Sequence, residues 1–293
     1  MTPPNEHKIG LIVNPKAGTA VEPDDLREML AGDGRIIEVF ESGDPIQAAE
    51  HAVKSGARTI VAAGGDGTLS GVASVIAGSD VALGIIPAGT LNHFAKALSL
   101  PIDVEQAAAI IRAGQIRAVD VAEVNGRIFI NNSSLGLYPL MVVLRRRQEK
   151  LGFNRRIAQL WAASVSLVRM PVLDVALTID SSRMRRRTPL IFVGNNQYEF
   201  EGVNVGERGS LTEGQLFVSI INSTSRLHFL RLVFLALAGK IKDRDEFAAF
   251  STMEAIVESR RGLVRVSLDG EVVVMRPPLH YRMRPASLRV LTP

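Results

Sequence analysis

Between residues 8 and about 115 the chain repeats one pattern. Short apolar runs near 8–13, 35–40, 58–63 and 81–86 alternate with longer stretches of helical composition. Runs of this length bounded by turn residues read as buried strands. A helix between two strands returns the chain to the same end of the sheet, so such strands pair in parallel. The pattern predicts an α/β domain whose strands all finish on one edge. Ligands of open parallel sheets sit at that edge, so the turns following the strands are where chemistry is to be sought.

The third run, Thr59-Ile60-Val61-Ala62-Ala63, is followed by Gly64-Gly65-Asp66-Gly67-Thr68 and then by a helical stretch, Leu69 to Ile76. A glycine turn between strand and helix presents backbone N–H groups at a positive helix end, which suits phosphate. Asp66 sets a carboxylate beside that anion site, which is unfavourable unless a metal ion or a transferable proton justifies it. The turn is not a Walker A loop, because no GxxxxGK[ST] occurs in the chain. It is a poor dinucleotide fingerprint, because Ser70 stands where the third glycine would be. The fourth run leads into Pro87-Ala88-Gly89-Thr90 and a short helix from Leu91 to Leu98, and the first leads into Asn14-Pro15-Lys16-Ala17-Gly18. Three polar, glycine-bearing turns then share one edge, with Asp66, Thr68, Thr90 and Asn92 lining one crevice. The simpler reading of Thr68 and Thr90 is helix capping, which the same N-terminus can combine with binding.

The pattern changes near residue 117. Val119 to Ile130 reads as a hairpin around Asn125-Gly126. Residues 154–170 read as a helix, with Ile157, Leu160, Trp161, Val165 and Val168 at helical spacing on one face. Short strands are expected at 172–180, 188–195, 215–221, 248–258, 263–268 and 271–276, with an apolar helix at 225–240 interrupting them. That succession predicts an antiparallel sandwich. Asp269-Gly270, between alternating Val264, Val266, Leu268 and Val272, Val274, reads locally as a hairpin turn.

Composition bounds the function. With 46% hydrophobic and 22% charged residues among 293, the chain can build a full core and is not broadly disordered. The lack of cysteine excludes disulfides and cysteine–zinc sites. A net charge of +4 with 5% aromatic residues gives little for nucleic acid to bind. The basic clusters Arg145-Arg146-Arg147, Arg155-Arg156 and Arg183 to Arg187 suit a solvated face or an anionic membrane surface. MTPPNEHK has no apolar core of a signal peptide, and Leu227 to Ala238 is too short and too charged to span a bilayer. The expectation is a soluble or peripheral cytoplasmic protein, in which the helix 227–238 with the neighbouring Arg226, Arg231, Lys240 and Lys242 either touches the inner face of the membrane or packs wholly in the second domain.

VNPKAG, GGDGT and GIIPAGTLNHFAKAL, in this order, resemble the diacylglycerol kinase catalytic-domain family, which includes bacterial lipid kinases and is related to sphingosine and ceramide kinases. Asp120-Val121, Phe129-Ile130-Asn131-Asn132, Leu211-Thr212-Glu213-Gly214-Gln215-Leu216 and Leu268-Asp269-Gly270-Glu271 match further landmarks, so the resemblance covers nearly the whole chain. It implies an N-terminal Rossmann-like three-layer α/β nucleotide domain, residues 1–117 with about 284–293 returning to it. A C-terminal antiparallel β-sandwich lipid domain would occupy 118–283. It implies ATP and Mg²⁺, and transfer of the γ-phosphate to the hydroxyl of a diacylglycerol-like lipid in phospholipid metabolism. The nucleotide site would comprise Asn14, Gly64, Gly65, Gly67, Thr68, Gly89, Thr90 and Asn92. LDGE implies an acidic pair facing the phosphates across an interdomain cleft. Asp269 is then a candidate general base, Glu271 a base or metal ligand, and Asp66 a competitor for the base role. The expected partners are a lipid substrate, a membrane surface and, admissibly, a second copy in a homodimer, but not nucleic acid.

Two departures from the family pattern stand out. Glu213 occupies a position where the family typically has aspartate in a motif that can hold a structural Mg²⁺; the longer side chain moves the ligand outward by one methylene, and the simpler reading is a polar turn before the strand from Gln215 to Ile220. His93 replaces the acid of T-x-N-D-F-A, putting an imidazole where a carboxylate is usual. Two other readings stay open: an NAD kinase relative acting on a soluble substrate, and a lipid- or nucleotide-binding module with weakened catalysis.

Overall fold

The structure is a computed structural model describing residues 8–14, 22–31, 35–41, 43–198, 208–237 and 247–293. The expected turn from Pro15 to Gly18, and Ala238, Lys240 and Lys242, lie outside these residues. The chain forms two units, Met1–Val121 with Arg284–Pro293, and Ala122–Met283.

The first unit runs β1 (Lys8–Val13), α1 (Pro23–Leu30), β2 (Ile36–Glu41), α2 (Pro45–Lys54), β3 (Thr59–Gly64), α3 (Asp66–Ile76), β4 (Ala82–Pro87), α4 (His93–Ala97) and α5 (Val104–Ala113). The four strands are parallel in the order β2-β1-β3-β4. Local signals start the helices. The Asp44 and Asp103 carboxylates accept from the N–H groups of Ile46 and Gln106, both at 2.9 Å, capping α2 and α5. β1 alternates between two helical layers. Ile9, Leu11 and Val13 share a core with Leu26 and Leu30 of α1 and Ala107 and Ile111 of α5. On the other side a Cβ at Gly10 would meet the Ala52 Cβ of α2 at 2.7 Å, so this face of the strand lies against α2.

The second unit continues with β5 (Ile116–Val124), which begins in the first unit, then β6 (Arg127–Phe129), β7 (Asn132–Gly136), α6 (Leu137–Lys150), α7 (Arg155–Val168), β8 (Leu173–Ile179), β9 (Ser182–Thr188), β10 (Leu190–Asn195), β11 (Leu216–Ile221), α8 (Arg226–Leu237), β12 (Phe247–Thr252), β13 (Glu254–Ser259), β14 (Val264–Leu268), β15 (Glu271–Met275) and β16 (Leu279–Leu291). One antiparallel sheet has the order β12-β11-β10-β7-β14-β15. The other has β16-β13-β8-β9. Leu135, Ile191, Val218 and Val266 of the first sheet share a core with Leu177, Val257, Leu279 and Tyr281 of the second, which makes the unit a β-sandwich. Burial pushes the Tyr281 phenol well above its usual range, so it stays a neutral partner of the Ser133 hydroxyl, 3.0 Å away.

β16 belongs to both units. Its start pairs with β13, while Arg289 and Val290 pair in parallel with Ala82 and Leu83 of β4. Between the two stretches Ala286 is left-handed (φ 48°), and its N–H donates to the buried Asp120 carboxylate at 2.8 Å. Asp120 thus anchors the backbone of β16 at this residue.

Two expectations need correction, and two elements were not foreseen. The single strand expected at 248–258 is two strands, β12 and β13, in different sheets. The Thr252 hydroxyl turns the corner, accepting from Glu254 N–H at 3.2 Å and lying 2.6 Å from the Asp180 carboxylate. The helix expected at 154–170 is α7, but the supposed core face is the wrong one: Ile157, Leu160, Trp161 and Val168 are exposed, and Ala158, Ala162 and Ser166 are buried. The basic cluster at Arg183 to Arg187 is strand β9, while α6 stands where no element was expected. α8 exposes Leu227, Leu230 and Phe234. Among the described residues, no helix is long and apolar enough to cross a membrane.

Candidate active site

In the first unit, β1, β3 and β4 end side by side, with Val13 opposite Ala63 and Gly64 opposite Pro87. The described residues that follow them interlock. The Asn14 side-chain amide donates to the Thr68 hydroxyl at 3.0 Å, joining the first turn to α3. Thr68 therefore serves a neighbouring turn, and no side chain caps α3 at Gly65. Asn92 is buried and left-handed (φ 50°) and closes its own loop reciprocally: its amide donates to Gly89 C=O at 2.9 Å and accepts from Gly89 N–H at 3.0 Å. The Asp66 carboxylate accepts from the N–H groups of His93 at 3.2 Å and Phe94 at 3.0 Å, so it holds the start of α4. Thr90 and the His93 side chain are exposed at the rim.

The glycines of this edge do different jobs. A Cβ on Gly64 would meet the Thr68 hydroxyl at 2.5 Å. A Cβ on Gly65 would lie 3.1 Å from Gly89 Cα, and one on Gly89 would run into Gly65. These three allow the turns to pack on each other. Gly67 is different: it is exposed, and nothing lies within 4 Å of its would-be Cβ. It sits in the first turn of α3, where the Thr68 N–H already donates to Gly65 C=O at 2.9 Å and the helix presents its positive end. The open backbone approach to an anion is here. Gly67→Val should therefore keep the fold and weaken ATP binding about tenfold or more, as titration calorimetry would show. Parental affinity would remove the phosphate site from this turn. Gly65→Val is a poor substitute, since it presses on Gly89.

In the second unit, Asp269 and Gly270 are both left-handed (φ 46° and 84°) and form the turn between β14 and β15. Asp269 does more than turn the chain. One carboxylate oxygen accepts from Asn131 N–H at 2.8 Å and Asn132 N–H at 3.0 Å, and the other from Ile130 N–H at 2.9 Å. Around the same segment, Arg208 donates to Ile130 C=O at 2.7 Å and the Asn131 side chain at 2.5 Å, Asn195 donates to Ile130 C=O at 2.9 Å, and the Tyr198 hydroxyl donates to Asn131 C=O at 3.0 Å. Arg208, Tyr198 and Asn195 escaped the sequence reading. The available signal was the paired amides Asn131-Asn132 and Asn195-Asn196 at the ends of apolar strands.

Glu271, two residues on, is held differently. Its side chain is 68% exposed, with Arg146 of α6 at 4.0 Å. Arg146 also donates to Gly270 C=O at 3.4 Å. Glu213 is exposed and accepts from Gln197 N–H at 3.3 Å. No three His, Cys, Asp or Glu side chains gather as metal ligands among the described residues. Mg²⁺ carried by a nucleotide needs only one or two carboxylates besides the phosphates, which Asp66 in the glycine turn could provide.

Comparison with known proteins adds the lineage. The diacylglycerol kinase catalytic domain matches residues 8–124, and the YegS C-terminal NAD kinase beta sandwich-like domain matches 142–292. The chain belongs to the diacylglycerol kinase catalytic-domain family. A Pectobacterium atrosepticum protein named "Probable lipid kinase YegS-like" is 30% identical over 74% of this chain and 75% of its own. The "Diacylglycerol kinase" of Bacillus subtilis is 28% identical over 80% and 78%. An uncharacterized Synechocystis protein is 27% identical over 84% of this chain, which spans only 58% of that relative. Two solved structures from Bacillus anthracis str. Sterne, one described as a diacylglycerol kinase, cover 98% of this chain and 97% of their own. Their TM-scores are 0.69 and 0.75 at 20% and 23% identity, and they share the fold.

Proposed function

We propose that this family member transfers the γ-phosphate of ATP to the hydroxyl of a diacylglycerol-like lipid. The observation that carries the reading is Gly67, open to solvent at the N-terminus of α3, in an edge tied together by the Asn14–Thr68 and Asp66–Phe94 hydrogen bonds. A triphosphate can lie on that backbone, and Asn14, Thr68, Gly89, Thr90 and Asn92 give the turn its shape. In the transfer, a P–O bond forms to the lipid oxygen as the bond to the leaving ADP oxygen breaks, and a base takes the hydroxyl proton. Bound Mg²⁺ would neutralise charge on the phosphates.

The hydrogen bonds favour a division of labour between the acids. Asp269 already accepts three N–H groups, and Asp66 holds α4. Glu271 is exposed, with Arg146 beside it. We assign the base to Glu271, the setting of its hairpin to Asp269, and nucleotide-borne Mg²⁺ to Asp66. The likeness of the second unit to an NAD kinase sandwich keeps a soluble acceptor as the competing reading.

The test is ADP release with Mg·ATP and a panel of acceptors, with labelled lipid products identified by mass spectrometry. Label is expected in a glycerolipid bearing a free hydroxyl, and EDTA should abolish turnover. Label in NAD alone, or ATP binding without product for any lipid, would overturn the proposal.

A further inference from the structure

Every backbone polar group of residues 130–132 is engaged. The three N–H groups converge on the Asp269 carboxylate. The carbonyls are held from elsewhere. Ile130 C=O accepts from Arg208 at 2.7 Å and from the Asn195 side chain at 2.9 Å. Asn131 C=O accepts from the Tyr198 hydroxyl at 3.0 Å and Asn195 N–H at 2.9 Å, and Asn132 C=O from Asp269 N–H at 2.9 Å. The peptide joining Ile130 to Asn131 thus has a guanidinium on its oxygen and a carboxylate on its N–H. A donor at one end of a peptide and an acceptor at the other polarise it in the same sense, so each strengthens the other's hold. Ile130, Asn131 and Asn195 are buried, so water screens this arrangement little.

Arg208 is itself fixed. Its other terminal nitrogen donates to the Asn131 side chain at 2.5 Å. Its guanidinium lies 5.6 Å from the centre of the Tyr198 ring, and its backbone forms an isolated antiparallel bridge with Tyr198. Two acceptors in set directions and an aromatic face suit the planar fork of arginine. Without Arg208, Ile130 C=O would keep the Asn195 donor. What would be lost is the positive charge across the peptide from Asp269.

We propose that Arg208 is a positioning residue for phosphoryl transfer: through the peptides of 130–132 its charge holds the Asp269 carboxylate, and with it the turn that carries Glu271. The inference rests on the assignment of the base to Glu271.

The full chain and its Arg208→Gln and Arg208→Lys variants are compared in lipid phosphorylation with Mg·ATP and, without nucleotide, in amide hydrogen exchange. Arg208→Gln should lower kcat about tenfold and leave the KM for ATP within about twofold, because the glycine turns belong to the other unit. Arg208→Lys keeps the charge and should recover part of that loss. The Asn131 and Asn132 N–H groups should exchange about tenfold faster in Arg208→Gln, with melting within about 5 °C of the parent. In a Glu271→Gln background, Arg208→Gln should change the residual rate by less than about twofold, because its effect passes through the base. Parental kcat or parental exchange in Arg208→Gln would overturn the proposal. So would an equal loss in the Glu271→Gln background, or Arg208→Lys as slow as Arg208→Gln. If Arg208→Gln does not fold, an equal loss from Arg208→Lys in the two backgrounds is the overturning result. A parent that phosphorylates no lipid removes the reaction itself, whereas unchanged exchange in an active parent removes the role of Arg208 alone.

Discussion

Glu271→Gln should lower kcat about a hundredfold or more while leaving thermal unfolding where it was. The first half follows from the assigned role, since a general base contributes on that order in the transition state. The second follows from the surroundings. The side chain is 68% exposed and its ion pair with Arg146 spans 4.0 Å. Exposed pairs of that kind contribute roughly 1 kcal/mol or less. Glutamine keeps the shape and loses basicity, and ATP affinity should be nearly unchanged because the base acts after binding. Steady-state kinetics with a saturating lipid acceptor, beside a melting curve, separates the two effects. A kcat within a few-fold of the parent would move the base to Asp66.

Asp269→Asn should damage the fold as well as the rate. Three backbone N–H groups converge on that carboxylate. An amide has one accepting end, so whichever way it turns, its NH₂ faces an N–H that has lost its acceptor. Hydrogen bonds to a charged acceptor are worth roughly 1.5–3 kcal/mol each, and an unsatisfied donor adds its own penalty. A loss of about 2–4 kcal/mol is expected, which for a unit of this size lowers the melting temperature by about 4–16 °C. kcat should fall too, because the turn carrying Glu271 is no longer fixed. If Asp269→Asn melts like the parent yet turns over a hundredfold more slowly, Asp269 acts on substrate directly and the division of labour fails.

These assignments show what the sequence could and could not reveal. The alternation of strands and helices up to residue 115 and the glycine-bearing turns after the third and fourth strands were legible because each signal is local. Asn125-Gly126 and Asp269-Gly270 were legible as hairpins for the same reason. The partners of those turns were not. Asp269 meets residues 130–132, and Asn14 meets Thr68 across 54 positions, contacts that only the folded chain establishes. The turn motif names five residues without saying that Gly65 packs on Gly89 while Gly67 faces outward. α7 illustrates a different limit. Its sequence has two stripes at helical spacing, one of large apolar residues and one of small residues, and periodicity does not say which faces in. Close packing against α6 selected the small one. β9 was hidden because Ser182–Thr188 is rich in arginine, and its hairpin turn uses Asp180-Ser181, both left-handed, with no glycine to announce it.

The divided membership of β16 bears on the order in which the protein can be made. Leu288, Val290 and Leu291, all buried, complete the first unit's interior from the very end of the sequence given. While a ribosome is still adding the sandwich, β4 has β3 on one side and no strand on the other, so its hydrogen-bonding edge stays open to other chains. The first unit is then completed only after the strands of the sandwich have been synthesised. The sandwich, whose strands precede Arg284, can close its own sheets sooner and hold the remaining segment in reach. A fragment ending at Val121 keeps the whole glycine-turn edge but leaves that strand edge unpaired, and is poorly suited to stand alone.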